Sequence, residues 1–182
     1  MANELELQVK QLEAQLKELQ ENQPKDQLSI IVFSGDLDKV LAAFIIATGA
    51  RAMDSEVKMF FTFWGTPILR AKNKSGKGKD FMSNMLGWML PKGSTQAKLS
   101  KLNMGGMGTE MLKSVMKKKN VSSLESLIEV AGELGVEIAI CQMSMDLMGF
   151  KKEEMIDYPH LSYVGVGTYL SDAQESKIQL FI

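Results

Sequence analysis

The sequence predicts an α/β protein built around a mostly parallel sheet. Short apolar runs such as LSIIVF and VEIAIC fit strands that are buried on both faces. Helical segments separate most of these runs, and strands joined by helices form parallel, layered sheets. A length of 182 residues with 45% hydrophobic residues is enough for one domain with a substantial core.

The first element is a short heptad helix that ends in a linker. Its apolar residues follow a 4-3-4-3 spacing, which is typical of a coiled-coil seam: Leu5, Val9, Leu12, Leu16 and Leu19. So short a helix is only marginally stable in isolation. Residues 1–24 are therefore predicted as a short coiled-coil-like helix and a linker that contains Pro24. Two roles stay open, an oligomer contact and packing as a solitary helix.

Residues 25–182 are predicted to form the single α/β domain. Strands are expected at 28–33, 57–63, 136–141, 161–166 and 178–182. Helices are expected at 37–50, 123–134, 142–148 and 168–175, with Gly135 and Gly149 as stop signals. The order of the strands within the sheet does not follow from these patterns.

Residues 65–120 form an insert between the second and third predicted strands. The insert holds seven of the fourteen methionines, and two helices are expected in it, one over 80–90 and one capped by Thr109. A methionine-rich helix face serves as core or subunit interface, or as an adaptable contact for a ligand or partner. Trp88 and Phe81 also fit a helix that lies on an anionic membrane.

Charge is strongly segregated along the chain. The insert carries twelve of the 21 basic groups and two of the 22 acidic groups, a net of +10 there and −11 elsewhere. A local electropositive surface favours acidic proteins, anionic lipid or anionic ligands as partners, and it does not indicate bulk nucleic-acid binding.

Cysteine and histidine counts limit the chemistry. One cysteine cannot form an internal disulfide, and one cysteine with one histidine, His160, argues against a zinc site. The polar start of the sequence and the absence of an apolar run of about 18 residues lead us to expect a cytoplasmic protein. We expect no cofactor.

Cys141 is the candidate reactive group. It ends the predicted strand 136–141 and precedes a helix, at the strand end where parallel sheets bind ligands. Nearby amide groups and the helix dipole favour the thiolate, which is the nucleophilic form of cysteine. The alternative is a buried structural cysteine, which is common.

Other residues are predicted to line a pocket beside Cys141. These are Ser34, Gly35, Asp36, Asn103, Gly105, Gln142 and Ser144. The Ser34–Asp36 turn follows the first strand and resembles neither a dinucleotide-binding fingerprint nor a P-loop, so a plain helix-capping turn is its alternative role. An acid–base role for His160 requires that the fold bring it to Cys141.

Several segments together resemble the DsrE/DsrF-like family, in its branch with a long insert. The segments are IIVFSGDLDKVLAAFIIATGA, the Phe-Trp-Gly at 63–65, LNMGGMGTEMLKSVMKKKNV, the block CQMSMDLMG that starts at Cys141 with the following KKEEMID, and VGVGTYL. The resemblance covers about residues 28–182 and omits the heptad helix.

The resemblance implies a flavodoxin-like, three-layer fold, assembly into a homo-oligomer and a role in sulfur relay. Cys141 would carry sulfane sulfur as a persulfide in a sulfurtransferase-like component. A transfer partner, such as a TusA-type carrier or a rhodanese module, would be needed because no second cysteine is present. Catalytic turnover by the chain itself is left open by the resemblance.

Two other functions stay in competition. One is a non-catalytic oligomeric adaptor that docks acidic partners or a membrane surface through the basic insert. The other, a flavin- or nucleotide-binding protein, rests on fold analogy alone.

Overall fold

The fold is organised by a five-stranded sheet in which every strand pairing is parallel. The strands are Lys25–Val32 (β1), Glu56–Phe61 (β2), Glu137–Cys141 (β3), Leu161–Val164 (β4) and Ser176–Phe181 (β5). Their spatial order is β4-β3-β2-β1-β5. The computed structural model describes residues 2–21, 23–76 and 81–182. The predicted parallel α/β architecture is confirmed.

Seven α-helices are found in the described part of the chain. They are Ala2–Glu21 (α1), Leu37–Ala52 (α2), Phe81–Met89 (α3), Met107–Lys118 (α4), Leu124–Glu133 (α5), Gln142–Met148 (α6) and Val166–Glu175 (α7). Short 3₁₀ turns lie at Phe63–Leu69, Ser94–Gln96, Met104–Gly106 and Lys152–Glu154. In the same described ranges, no helix has both the length and the hydropathy needed to cross a membrane.

The strand order explains why the sheet has helices on both faces. From β1 to β4 the chain moves steadily towards one edge, and then it returns past β1 to place β5 on the other side. Because crossovers between parallel strands are right-handed, reversing the direction moves the connecting helix to the opposite face. Accordingly α2 and α5 pack together over one face, and α7 packs over the other, against β1 and β5.

The two faces bury different amounts of apolar surface. The α2/α5 face forms the main core, with side chains from all of the central strands, both helices and α6, among them the fully buried Ile30, Phe44, Met59, Phe61, Ile138 and Ile140. The α7 face holds a small cluster of buried residues, namely Phe60, Cys141, Tyr169 and Ala173. Alternation along β3 sends Ile138 and Ile140 to the main core and Cys141 to the α7 face.

A buried ion pair fastens the insert to the sheet domain. The Arg70 guanidinium lies 3.2 Å from the Glu154 carboxylate, and both side chains are almost fully buried. It also donates to the carbonyls of Gly87, at 3.0 Å, and Pro91, at 3.2 Å, and lies over the Phe150 ring. Since breaking a buried pair leaves an uncompensated charge, this arrangement fixes α3 relative to the segment that follows α6.

Several predicted boundaries differ from the structure, and two of them were wrong for identifiable reasons. The second strand ends at Phe61 rather than 63, because Phe63 adopts a positive φ of 41° and starts a 3₁₀ turn. This turn brings Gly65 so close to strand β1 that a Cβ there would lie 2.2 Å from the Val32 carbonyl oxygen.

Thr109 does not cap α4. The helix starts at Met107, after Gly106, and Thr109 is buried in its first turn. Asp80, at the start of the predicted helix 80–90, lies outside the described residues.

Candidate functional site

Cys141 lies where β3 ends and α6 begins. It is the last residue of β3, pairs with Val164 of β4, and occupies the position just before the first residue of α6. Its backbone is extended, whereas Gln142 already belongs to the helix. The sulfur therefore meets the first amides of α6 at the carboxyl end of the sheet, as the sequence predicts.

A compact polar cluster surrounds the sulfur. Ser144 projects from the first turn of α6, and its Oγ lies 2.9 Å from the Oγ1 of Thr62, the residue that follows β2. The amide of Phe63 donates to the same Ser144 Oγ at 3.1 Å. A serine hydroxyl accepts two hydrogen bonds and donates one. Either hydroxyl of the Thr62–Ser144 pair can donate to the other, and the hydroxyl that accepts keeps its own proton for the Cys141 sulfur.

These hydrogen bonds change the acidity of the thiol. Burial by itself raises the pKa of Cys141, because it disfavours the charged form. Hydrogen bonding by the amides of Met143 and Ser144 and by the Ser144–Thr62 hydroxyl pair outweighs that effect, so the pKa of the thiol lies below its usual value. The site therefore favours the thiolate, which is the reactive form.

The sulfur is covered in the single chain. Cys141 is 3% exposed and packs with Phe60, Tyr169 and Ala173 on the α7 face. The rings of Phe60 and Tyr169 stack with centroids 4.9 Å apart. A reagent that reaches the sulfur must therefore displace α7 or the segment that connects it to β4.

The segment between β4 and α7 is suited to such a displacement. Gly165, between β4 and α7, and Gly167, in the first turn of α7, each have open space where a Cβ would lie. Val166 and Leu170 of α7 are exposed, and Tyr169 and Ala173 are its buried apolar residues. Ion pairs of Asp172 with Lys58 and of Glu175 with Lys25 also hold the helix to the sheet. Few buried apolar contacts characterise regions that open locally at low cost in free energy.

A small cavity continues from this cluster along the α7 face. Its volume is about 250 Å³, and Phe60, Ala139, Val164 and Tyr169 form its apolar walls. Lys58 lies at its polar end, 2.6 Å from the Asp172 carboxylate of α7. The residues that cover Cys141 therefore border a cavity that is already present in the single chain.

The predicted single pocket is divided in two. Ser34, Gly35, Asp36 and Gly105 line a larger open cleft of about 980 Å³ between the β1–α2 turn and the insert, and we call it the insert cleft. Cys141 is not among the residues that line it. The physical reason is that β2 separates β1 from β3 and that the Cys141 side chain points to the α7 face.

Within the insert cleft, the Ser34–Asp36 turn has a local structural role. The Ser34 hydroxyl donates to the Asp36 carboxylate at 2.9 Å and accepts from the Asp36 amide at 3.2 Å. Lys39 pairs with Asp36 at 2.8 Å. At the start of α2, the Leu37 amide donates to the Lys98 carbonyl of the insert at 2.8 Å. This occupied helix start, with its acidic neighbours, disfavours a nucleotide phosphate there.

Asn103 and Gln142 also have distinct positions. The Asn103 side-chain oxygen accepts from the Thr109 hydroxyl at 2.8 Å, and its carbonyl accepts from the amides of Gly106 and Gly108, so Asn103 organises the start of α4. Gln142 is exposed beside Cys141. Of the predicted residues, only Gln142 and Ser144 lie with Cys141.

Sequence reasoning missed Thr62 and Tyr169. Thr62 could have been found only from the strand order, which puts the end of β2 next to the end of β3. Tyr169 lies in the quoted VGVGTYL block, but nothing in that pattern shows that the ring covers the sulfur. His160 lies at the opposite end of the sheet, where its carbonyl accepts from the Ile138 amide at 2.9 Å, so it is not an acid–base partner of Cys141.

Comparison with known proteins gives a consistent result. Residues 24–181 match the sequence model of the DsrE/DsrF/DrsH-like family. The chain is 48% identical over 154 residues to the protein YrkE of Bacillus subtilis (strain 168), a match that covers 85% of this chain and 95% of YrkE. It is 36% identical over 168 residues to the sulfur carrier protein DsrE2 of Allochromatium vinosum, which covers 86% of this chain and 98% of that protein.

A solved structure shows the same fold at low sequence identity. The crystal structure of the ychN protein from E. coli superposes with a TM-score of 0.53 at 9% identity, over 86% of this chain and 98% of that chain. This likeness concerns the fold. The family match and the similarity to a sulfur carrier protein support a role in sulfur relay.

Proposed function

The chain belongs to the DsrE/DsrF/DrsH-like family, and on that premise we propose that it is a sulfur-relay protein that carries sulfane sulfur as a persulfide on Cys141. The observation that carries the proposal is the polar cluster at the sulfur. Two hydroxyls and two amides converge on the lone cysteine of the chain and lower its pKa. A purely structural cysteine in an apolar core needs no such donors.

The transfer step follows from thiolate chemistry. The Cys141 thiolate attacks the outer sulfur of a donor persulfide, R–S–SH. A bond forms between the Cys141 sulfur and the sulfane sulfur, the S–S bond of the donor breaks, and R–S⁻ leaves with the electron pair of that bond. The product is Cys141–S–SH, with no net oxidation or reduction. Passing the sulfur on is the same step in reverse with an acceptor thiolate.

The single cysteine requires a partner for both halves of the relay. Without a second thiol in the chain, the persulfide has to leave by attack from another protein. A TusA-type carrier or a rhodanese module supplies the required thiol chemistry. The buried sulfur adds a second requirement, because docking of this partner has to open the cover formed by α7.

Intact-mass spectrometry tests the proposal. After incubation with thiosulfate and a rhodanese, or with polysulfide, we expect an increase of about 32 Da per chain that is lost on reduction. Cys141→Ser should show no increase. A mass adduct that persists in Cys141→Ser, or no adduct on the wild-type chain under conditions that persulfidate a reference carrier, would contradict the proposal.

A second candidate is the non-catalytic adaptor, and the exposed apolar residues of the basic insert favour it. Met107, Met111 and Trp88 are largely exposed although they lie in helices, and Lys117 and Lys118 follow on α4. Such a surface fits an acidic partner or an anionic membrane. For an adaptor, Cys141→Ser leaves function intact, whereas charge reversal at Lys117, Lys118 and Lys119 removes docking. For a sulfur relay, Cys141→Ser abolishes function.

A further inference from the structure

The N-terminal helix α1 presents an apolar seam that no part of the described chain covers. Val9, Leu12 and Leu16 lie along one side of the helix and are 48%, 59% and 57% exposed. Leucine and valine at regular helical spacing, left about half exposed, mark a surface that another element covers in the assembled protein.

The charge of α1 is complementary to that of the insert. Ala2–Glu21 contains five glutamates against two lysines, a net charge of −3. The insert at 65–120 carries +10. Two copies of α1 side by side would repel each other, whereas α1 placed against the insert would be attracted to it.

The insert cleft has the composition that an acidic amphipathic helix requires. Its wall is apolar and aromatic, with Phe33, Trp64, Pro67, Trp88 and Met89. Trp88 is 83% exposed although it borders a concave surface. The rim of this wall contains Lys39, Lys98 and Lys113 together with Asp36 and Glu110, which pair with Lys39 and Lys113, so its net charge is +1. The apolar wall matches the apolar seam of α1, and the positive charge of the insert as a whole attracts the acidic helix.

The positions of the two surfaces favour contact between two copies. The α1 helix joins β1 at its amino end, whereas the insert cleft lies at its carboxyl end, about 26 Å away for eight strand residues. To reach its own cleft, a helix about 30 Å long would have to fold back along the full height of the domain. In the structure its seam faces solvent instead.

We propose that α1 of one copy binds in the insert cleft of a second copy, with the Val9, Leu12 and Leu16 seam against Trp64, Trp88 and Met89. The glutamates of α1 then lie beside a rim of net charge +1 within an insert of net charge +10. This assignment concerns assembly and holds whether or not Cys141 carries sulfur.

Cross-linking between two single-cysteine variants of the full chain tests the proposal. Both are made in a Cys141→Ser background, with Gln15→Cys in α1 and Thr95→Cys in the cleft wall, since both positions are exposed. The two chains are mixed and treated with a short flexible thiol-to-thiol cross-linker. We expect the cross-link between the two variants to predominate over both self-cross-links. The matched control replaces Thr95→Cys by Glu133→Cys, which is exposed on α5, and should give no preference.

Tryptophan emission gives an independent readout. Both tryptophans of the chain line the cleft, and α1 has no aromatic residue, so the emission reports on cleft occupancy. The variant with Leu12→Asp and Leu16→Asp should shift the emission to longer wavelength and abolish the mixed cross-link, while Gln11→Asp, off the seam, should do neither.

Three outcomes would overturn the proposal. Predominant self-cross-linking of the Gln15→Cys chain would show that α1 pairs with itself. An unchanged emission and cross-link in the seam variant would show that the seam is not the contact. A shift in emission on phosphatidylserine vesicles that persists in the seam variant, with no mixed cross-link, would assign the cleft to lipid.

Discussion

The two faces of the sheet are covered to very different depths. On one face, α2, α5 and α6 bury a continuous core that includes the fully buried Phe44 and Phe61. On the other, α7 covers only a small cluster around Cys141, and Phe181 of β5 on the sheet itself is 69% exposed. We call the face covered by α2, α5 and α6 the thick face and the face covered by α7 the thin face. The thick face supplies most of the buried core, and the thin face carries the thiol. A reactive group under a single helix can be uncovered without loss of the main core.

The largest expected effect is on stability at the thick face. Phe61→Ala should lower the free energy of unfolding by about 3–5 kcal/mol, because it leaves a cavity in the main core. The matched change on the thin face, Phe181→Ala, should alter it by less than about 0.5 kcal/mol, because that ring is largely in solvent. Urea unfolding followed by circular dichroism measures both. Similar losses of unfolding free energy for the two variants would contradict the difference in burial between the two faces.

The next effect concerns access to the sulfur. Tyr169→Ala removes the ring that stacks on Phe60 and packs over Cys141, so alkylation of the thiol by iodoacetamide should accelerate about tenfold, which corresponds to about 1.4 kcal/mol in the opening equilibrium. The control Leu170→Ala alters an exposed residue of the same helix and should leave the rate near that of the wild type. Equal rates in all three chains would mean that α7 is not the cover.

A smaller effect tests the polar cluster. Thr62→Val removes one hydroxyl from the Ser144 and Cys141 group, so the pKa of the thiol should rise and alkylation near neutral pH should slow by roughly two- to fivefold. Thr62→Ser keeps the hydroxyl and should behave as the wild type. The pH profile of the alkylation rate measures the change. A profile that does not move in Thr62→Val would exclude the hydroxyl as a determinant of thiol acidity.

The smallest effect is the dependence of stability on pH. The folded chain holds the pKa of Cys141 below its unfolded value, so it binds fewer protons at this group than the unfolded chain does. Stability from this group should therefore increase as pH rises from the folded pKa to the unfolded value near 8.5, and stay constant above it. The difference in unfolding free energy between the wild type and Cys141→Ser, measured across that range, should widen with pH. A difference that narrows would contradict the lowered pKa.

Sequence patterns were sufficient for elements whose local signal agrees with the fold. The runs 28–33 and 138–141 are mostly apolar because both faces of these strands are covered, and Gly149 ends α6 in the left-handed conformation expected of a helix stop. Cys141, Gln142 and Ser144 are close in sequence, so their proximity could be predicted as well.

The remaining part of the site depends on contacts that are distant in sequence. Thr62 meets Ser144 only because β2 and β3 are neighbours, and the strand order has no local signal. The expected pocket joined Ser34 to Cys141 because both follow strands at the same edge of the sheet. The predicted pocket was wrong because the strand-end rule specifies the edge of the sheet but not the face. In this structure β2 lies between β1 and β3, and the thiol points towards α7.

The buried Arg70 links the insert to the helix that follows Cys141. Its guanidinium holds carbonyls at the end of α3 on one side and the Glu154 carboxylate and Phe150 ring on the other. Phe150 follows α6, the helix whose first amides hold the sulfur. A displacement of α3 would therefore have to move or break the Arg70 contacts at the carboxyl end of the helix that holds the sulfur.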